Sequence, residues 1–280
     1  MKTLIVNADD FGITHSVNEA IVETFERGSV SSTTLMVNAG ATDDAVNKAR
    51  RHPNLGVGLH FNLTLGQPVS DINSVRTLVD ASGDFYTRGE IARRMLLRRI
   101  NRMEIERELL AQFERIRALG LRPTHIDSHQ HVHAFPWCFD AIASLCKREQ
   151  LPMRMPWILK FGSNTAPIAR KVRQQFLRRM LSRNQRVWDG LVRWNDGFGS
   201  VFDLGTIPEH LATDHYRAIL ESSPAGIFEL MVHPAREADE LEGLTQIGRV
   251  SENEWRFLCS DCLPALISEL GFTLGSYRSL

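Results

Sequence analysis

Two adjacent carboxylates follow the first hydrophobic run of the chain. The run, residues 4–8, leads directly into Asp9 and Asp10. Neighbouring carboxylates repel each other unless a cation or a shared proton offsets their charge. An aspartate could also cap the helix that is predicted to begin near Thr14 or Ser16, but a helix cap explains one aspartate and not two. The pair therefore favours a site that binds a cation or transfers protons.

Histidines form a second unusual group, because three of the ten lie at alternate positions of one short segment. His129, His131 and His133 would share one face of an extended chain, where their ring nitrogens need several partners. His60 lies within another predicted strand, and His233 directly follows a third. Metal coordination is one way to satisfy clustered imidazoles, so this distribution indicates a metal site.

These acidic and histidine residues are far apart in sequence but are expected to meet in space. The carboxyl ends of parallel strands emerge on one edge of a sheet, where α/β proteins place their catalytic residues. The residues at or near predicted strand ends are Asp9, Asp10, His60, His129 and His233. A carboxylate with two imidazoles is a common ligand set for a hydrolytic or oxidative metal ion that keeps open positions for water and substrate.

The segments that would position these residues alternate between strand and helix. The predicted strands are residues 3–7, 33–37, 55–63, 124–126, 153–155 and 227–232, with a last strand at 273 or 274. The predicted helices run from Ser16, as N-cap, to Gly28, and over residues 43–51, 104–119, 136–148 and 254–270. This alternation favours an α/β fold with a mostly parallel sheet wrapped by helices.

Residues 157–204 interrupt the alternation and are predicted to form an insertion. Basic residues over 170–186 cover apolar residues at helical spacing, a pattern that an amphipathic helix explains without any binding of nucleic acid. Four aromatic residues could cover a site, stack on sugar rings or fill a core: Trp157, Trp188, Trp194 and Phe198.

Composition limits the class of protein. With 280 residues and 43% hydrophobic content, the chain can form one large domain over residues 1–280. Lys+Arg and Asp+Glu are equal at 33 each, and this zero net charge argues against nucleic acid or an anionic membrane as partner. The chain begins with a strand rather than a leader and has no apolar stretch of membrane-spanning length, so we expect a cytoplasmic protein.

The four cysteines do not indicate a disulfide framework or a zinc site. So few cysteines in a long chain are typical of a reducing compartment. Cys259 and Cys262 form a CxxC, but the motif lies in the predicted helix 254–270, and no second CxxC completes a zinc site. We expect both thiols to fill space in the core.

Five segments together resemble the signature motifs of the YdjC-like carbohydrate deacetylases, a family that includes chitooligosaccharide deacetylase. They are residues 7–12 (NADDFG), 32–34 (STT), 58–64 (GLHFNLT), 124–133 (THIDSHQHVH) and 233–234 (HP). The resemblance implies an irregular (β/α) barrel like that of polysaccharide deacetylases. It also implies one divalent metal ion, with zinc and magnesium as the expected ions, held by Asp10, His60 and His129.

The implied reaction is hydrolysis of the linear amide bond of an N-acetylated amino sugar by a metal-activated water. Asp9, beside the metal, would accept the proton of the water, and His233 would protonate the leaving amine. Asp127 or Ser128 would orient the ligand His129. Which of the two adjacent aspartates binds the metal stays open.

Three residues are candidate substrate contacts: Arg154, Phe11 and His131. Arg154 could bind a hydroxyl or an acidic group, or it could form a structural ion pair. The expected partner is a small saccharide and not nucleic acid or a membrane, and a homodimer is an open alternative to a single chain.

Two other functions remain open. The first is metal-dependent hydrolysis of another bond, such as a phosphate ester or a cyclic amide, although two-metal phosphoesterases usually need more bridging carboxylates than this sequence offers. The second is a carbohydrate-binding protein without turnover. The presence of both Asp9 and His233 argues against that alternative.

Overall fold

The strands of the protein form one parallel sheet. The computed structural model describes residues 2–157, 168–204, 207, 210–224 and 226–280. The strands within these ranges are β1 Lys2–Phe11, β2 Ser32–Leu35, β3 Gly56–Phe61, β4 Ile126–Ser128, β5 Gly197–Gly199, β6 Ile227–Val232 and β7 Phe272–Gly275. Their order is β4-β3-β2-β1-β6-β5, and β7 pairs with the beginning of β1. All of these pairings are parallel.

Helices connect the strands and surround the sheet, which is curled into a half-barrel. They are α1 His15–Glu26, α2 Thr42–Arg51, α3 Arg88–Leu96, α4 Arg102–Ala118, α5 Pro136–Glu149, α6 Ile168–Trp188, α7 Thr213–Glu221, α8 Gly248–Leu258 and α9 Cys262–Glu269. The predicted α/β fold and its irregular barrel are therefore confirmed. In the part of the chain that the structure describes, no helix combines the length and the apolar character that crossing a bilayer requires.

The central strand β1 explains why an unbroken apolar run leads into the acidic pair. Residues 4–11 are all buried, because β1 pairs with β6 along one edge and with β7 and β2 along the other. The register with β2 shifts between Ala8 and Phe11, and Asp10 has a left-handed φ of 66°. The backbone turns again at Gly12, with φ 98°, where a Cβ atom would lie 2.9 Å from the carbonyl oxygen of Met36.

The first half of the chain follows the sequence prediction closely except at α3, where no helix was predicted. Strands β1, β2 and β3 and helices α1, α2, α4 and α5 all lie where they were expected, within a few residues at their ends. Gly28 ends α1 with φ 75°, as predicted, but the N-cap is Thr14 and not Ser16, because the Thr14 hydroxyl accepts the backbone N–H of Val17 at 3.2 Å. The fourth strand is shifted from residues 124–126 to β4.

The predicted strand at residues 153–155 is wrong. Only Met153 forms an isolated bridge, to Ile126. The backbone N–H and carbonyl of Met155 bind the side-chain amide of Asn195, at 2.7 and 2.9 Å. A side chain therefore satisfies the groups that a neighbouring strand would otherwise pair. The segment nevertheless reaches the sheet and places Arg154 beneath the site.

The insertion at residues 157–204 contains the expected basic helix, α6, and also a strand that the sequence did not predict. Residues 158–167 and the side chains of 168–174 lie outside the described part of the chain. Strand β5 pairs with β6 through Phe198 and its two flanking glycines. A Cβ atom at Gly197 would lie 2.6 Å from Pro224, so close packing requires glycine there. Three residues with two glycines have no strand periodicity, which is why β5 was missed.

The last predicted helix, residues 254–270, is two helices, α8 and α9. The break lies between the two cysteines of the CxxC, so that Cys259 is half-buried and Cys262 is exposed. The expectation that both thiols fill the core is therefore wrong for Cys262. Strand β7 follows α9 as predicted.

Candidate metal centre and active site

Three predicted metal ligands lie together at the carboxyl ends of their strands. Oδ1 of Asp10 is 3.2 Å from Nε2 of His60 and 2.8 Å from Nδ1 of His129. Their ligand atoms lie within 4.8 Å of one another, and all three residues are buried. The left-handed turn at Asp10 gives its carboxylate different partners from that of Asp9. A carboxylate oxygen and two imidazole nitrogens thus converge on one point.

His60 is oriented by strand register. It pairs with Asp127 across β3 and β4, and Nδ1 of His60 lies 2.7 Å from Oδ1 of Asp127. Thr34 donates to the other oxygen of Asp127 at 3.1 Å. Burial lowers the pKa of His60, but the charge of Asp127 and the contact with Asp10 outweigh it and raise the pKa to about 10. Nε2 is therefore directed at Asp10, in surroundings that favour positive charge.

His129 begins a 3₁₀ turn, His129–Ala134, and not the extended segment that was expected. Among the described residues, its buried Nε2 has no hydrogen-bond partner. The prediction that Asp127 or Ser128 orients His129 is wrong, because Asp127 contacts His60 and the Ser128 hydroxyl lies against Nδ1 of His133. The turn bends the chain between the histidines, so they do not share one face.

Asp9 is bound by a guanidinium group. Oδ1 and Oδ2 of Asp9 accept hydrogen bonds from Nη2 and Nη1 of Arg154 at 2.6 and 2.7 Å. Asn7 donates to Oδ1 at 2.9 Å. Burial raises the pKa of Asp9, but the Arg154 charge and hydrogen bonds more than offset this, so the pKa lies below its ordinary value. Asp9 is therefore ionised and held in a fixed direction.

Arg154 is fully buried and contacts three carboxylates. Besides Asp9, it contacts Asp127 at 2.8 Å and donates to Glu229 at 2.6 and 2.8 Å. These five contacts occupy all three nitrogens of the guanidinium. We therefore correct the predicted substrate contact: Arg154 forms the structural ion pairs that were its alternative role.

His233 lies on the other side of Asp9. Its Nε2 is 4.0 Å from Oδ2 of Asp9, and its Nδ1 is 3.9 Å from Oε2 of Glu254. The backbone N–H of His233 donates to the same Glu254 oxygen at 2.8 Å. Burial lowers the pKa of His233, and the opposing charge of Asp9 does not restore it. The imidazole is therefore neutral at pH 7, and no hydrogen bond to either ring nitrogen is formed among the described residues.

The other two predicted substrate contacts differ from each other. Phe11 is 0% exposed and belongs to the hydrophobic core, so its predicted substrate contact is wrong. His131 is half-buried, and both it and Gln130 have left-handed φ angles, 55° and 52°. Its ring meets the edge of Phe198 at a centroid distance of 5.5 Å. Non-glycine residues in this conformation are uncommon and cluster at functional sites, so His131 stays a candidate.

Sequence reasoning assigned no role to the residues that hold these groups in place. They are Thr34, Glu229, Glu254 and Tyr277. One of them left a signal, because Glu229 is an acidic residue in the middle of the apolar run of β6. Lone acids in fully buried strands need a cationic or hydrogen-bonding partner. The partner of Glu229, however, is 75 positions away in sequence.

Three comparisons relate the chain to known proteins. A carbohydrate deacetylase of Geobacillus stearothermophilus is 49% identical over 150 residues, which are 54% of this chain and 58% of that relative. A chitooligosaccharide deacetylase of Yersinia enterocolitica is 32% identical over 284 residues, covering 99% of this chain and 98% of the relative. The match thus spans about three fifths of the first relative's length and nearly all of the second's.

A solved structure and a family model each match nearly the whole chain. A crystal structure from Enterococcus faecalis V583, described as a proposed cellobiose-phosphate cleavage protein, is 28% identical with a TM-score of 0.80. The match covers 99% of this chain and 98% of that one. The model of the family described as YdjC-like protein matches residues 3–269. The chain therefore belongs to the YdjC-like protein family.

Proposed function

We propose that the protein is a metal-dependent deacetylase that removes the acetyl group from an N-acetylated saccharide by hydrolysing a linear amide bond. The observation that carries this proposal is the convergence of Asp10, His60 and His129, whose ligand atoms lie within 4.8 Å of one another. Relatives named carbohydrate deacetylase and chitooligosaccharide deacetylase support the same activity.

The donor set of these three residues suits a divalent cation such as zinc or magnesium. The Asp10 oxygen, which lies within 3.2 Å of a nitrogen of each imidazole, and the acidic surroundings that raise the pKa of His60 to about 10 both favour a cation there. When bound, the cation would polarise the amide carbonyl and lower the pKa of a water molecule. The remaining steps belong to side chains of the protein.

Asp9 accepts the proton of the attacking water in this proposal. It is ionised because Arg154 holds its pKa below the ordinary range, and its carboxylate is fixed from two sides by Arg154 and Asn7. A fixed, charged carboxylate next to the ligand Asp10 is suited to act as a general base. Arg154 acts by holding Asp9 and not by contacting the saccharide.

His233 carries the proton to the leaving group. Because its pKa is lowered, His233 is neutral at pH 7 and needs a proton before it can act as an acid. Asp9 lies 4.0 Å from Nε2 of His233, so the proton removed from water has a short route to the imidazole and then to the amine nitrogen. The C–N bond breaks as the amine is protonated, and acetate and a free amino sugar are released.

The test measures acetate release from N-acetylglucosamine oligosaccharides, with the metal content of the same preparation determined by elemental analysis. We expect release that a chelator abolishes and that zinc or magnesium restores. Asp9→Asn should lose most of the rate while it keeps the metal, whereas Asp10→Asn should lose the metal as well. The exposed Asp261 provides a matched control, and Asp261→Asn should behave as the wild type.

Each alternative predicts a different result. A hydrolase of another bond would bind metal but release no acetate from a broad panel of acetylated sugars. A carbohydrate-binding protein without turnover would bind the oligosaccharide, and Asp9→Asn would change little. Acetate release that is indifferent to the chelator would contradict the metal dependence.

A further inference from the structure

We propose that Glu229 and Tyr277 are positioning residues. They hold Arg154 so that the carboxylate of Asp9 stays directed at the water whose proton it accepts. The proposal rests on the function of Asp9 proposed above. It adds to the site a residue of β6 and a residue of the C-terminal turn, Tyr277–Ser279.

Glu229 binds the guanidinium on the side that Asp9 leaves open. Its Oε1 accepts hydrogen bonds from Nε of Arg154 at 2.8 Å and from Nη2 at 2.6 Å. Asp9 takes the other edge, through Nη1 and Nη2. Two carboxylates that bind different edges fix the plane of the guanidinium and leave it no free rotation. Glu229 is 0% exposed and lies between β1 and β5, so it cannot shift easily.

Tyr277 holds Glu229 in turn. Its hydroxyl donates a short hydrogen bond to Oε2, the oxygen of Glu229 that Arg154 does not use. The ring is 1% exposed and stacks on His125, with centroids 3.9 Å apart and an angle of 10° between the planes. A Cβ atom at Gly58 would lie 2.5 Å from the same His125 ring. The packing of Tyr277 against His125, and of His125 against Gly58, thus fixes the position of the tyrosine hydroxyl.

Charge balance does not explain why Glu229 is present. Asp9 and Asp127 already place two carboxylates on Arg154. A third buried carboxylate costs desolvation energy, and burial indeed raises the pKa of Glu229 to about 7 in spite of Arg154. The two hydrogen bonds that Glu229 accepts from Arg154 fix the direction of the guanidinium, and this is the role that we infer for Glu229.

The first variant, Tyr277→Phe, removes one hydroxyl and keeps the stacked ring. We expect kcat for acetate release to fall about tenfold, as is usual when a supporting hydrogen bond behind a reacting group is lost, with KM and metal content unchanged. Glu229→Gln should lower kcat further, because it removes the charge that binds two nitrogens of Arg154. Tyr86→Phe is the matched control, since the Tyr86 ring packs against the guanidinium of Arg94.

A second measurement does not depend on activity. In ¹H–¹⁵N spectra, the Nε–H signal of Arg154, assigned by its loss in Arg154→Lys, should exchange slowly with solvent in the wild type. Exchange should accelerate and the signal should shift in Tyr277→Phe and Glu229→Gln, but not in Tyr86→Phe. This spectrum tests the position of Arg154 even if the wild type releases no acetate, which would contradict the proposed function and not the positioning.

Two results would overturn the proposal. One is an unchanged Arg154 signal in both variants. The other is a loss of rate that appears in KM or metal content instead of kcat, which would make the pair a general support of the fold. If Glu229→Gln does not fold, Tyr277→Phe decides alone, because it removes a single oxygen.

Discussion

Asp9 and His233 lie 4.0 Å apart, yet the protein holds them in different ways. The Asp9 carboxylate accepts three hydrogen bonds of 2.6 to 2.9 Å from Arg154 and Asn7. The ring nitrogens of His233 come no closer than 3.9 Å to a carboxylate among the described residues. In the proposed reaction Asp9 serves one partner, the attacking water, whereas His233 must reach both Asp9 and the amine nitrogen. The difference in packing thus matches the difference in proposed roles.

Asp9 and His233 are nevertheless each supported by a buried glutamate that accepts a hydrogen bond from a tyrosine. Tyr277 donates to Glu229 behind Arg154, and Tyr216 donates to Glu254 at 3.3 Å behind His233. Burial raises the pKa of Glu229 to about 7 and that of Glu254 to about 8. The supports differ in what they bind: Glu229 binds a side-chain guanidinium, whereas Glu254 accepts a hydrogen bond from the backbone N–H of His233 and not from its ring.

The largest effect on acetate release is expected from replacing Asp10, the carboxylate that contacts both His60 and His129. Asp10→Asn removes the carboxylate that both His60 and His129 contact, so metal content and acetate release should both fall to background. Elemental analysis and the acetate assay measure this together. A variant that keeps a full metal complement would exclude Asp10 as a ligand and would favour Asp9, beside His60 and Asp127, in its place.

The second largest effect is expected at Asp9, which is held by Arg154 and Asn7. Asp9→Asn should lower kcat by roughly 10² to 10⁴, the usual contribution of a general base. It should also lower the free energy of unfolding by about 3 kcal/mol, because Arg154 loses one partner of a buried ion pair. Urea unfolding and steady-state kinetics measure the two effects. An unchanged stability would show that the Arg154 contacts of Asp9 are not the restraint that we infer.

Replacing His233 should lower the catalytic rate much more than the stability of the fold. His233→Gln should lower kcat by about 10²-fold, because the leaving amine loses its proton source. The free energy of unfolding should change by about 1 kcal/mol or less, since the ring nitrogens form no hydrogen bond in the described structure. A large loss of stability would break the contrast with Asp9, because it would mean that the ring is as firmly held as the carboxylate.

The last prediction concerns the pH dependence of stability. Burial raises the pKa of Glu254 from 4.5 to about 8, so between these values the folded protein keeps a proton that the unfolded chain has lost. The contribution of Glu254 to the free energy of unfolding is therefore largest below pH 4.5 and declines as the pH rises towards 8. Glu254→Gln should flatten this decline in urea unfolding measured from pH 5 to 8. Equal slopes in the two proteins would contradict the raised pKa.

Much of the fold was predictable because buried parallel strands carry apolar runs that can be read directly. Strands β1 and β6 are uninterrupted enough to be recognised, and each leads to a candidate site residue at its end. Strand β5, with two glycines, and the segment around Arg154, whose backbone binds the Asn195 side chain, carry no such pattern. Their structure depends on partners that are distant in sequence.

The sequence by itself indicated the candidate ligand residues, the strand ends that carry them and the family. Residue identity and local periodicity are enough for these, because parallel strands necessarily end on one edge. Only the tertiary structure decided how Asp9 and Asp10 differ: a left-handed turn between them gives one to Arg154 and the other to the histidines. Arg154 is 145 positions from Asp9, and an ion pair over that separation depends on packing and not on local sequence.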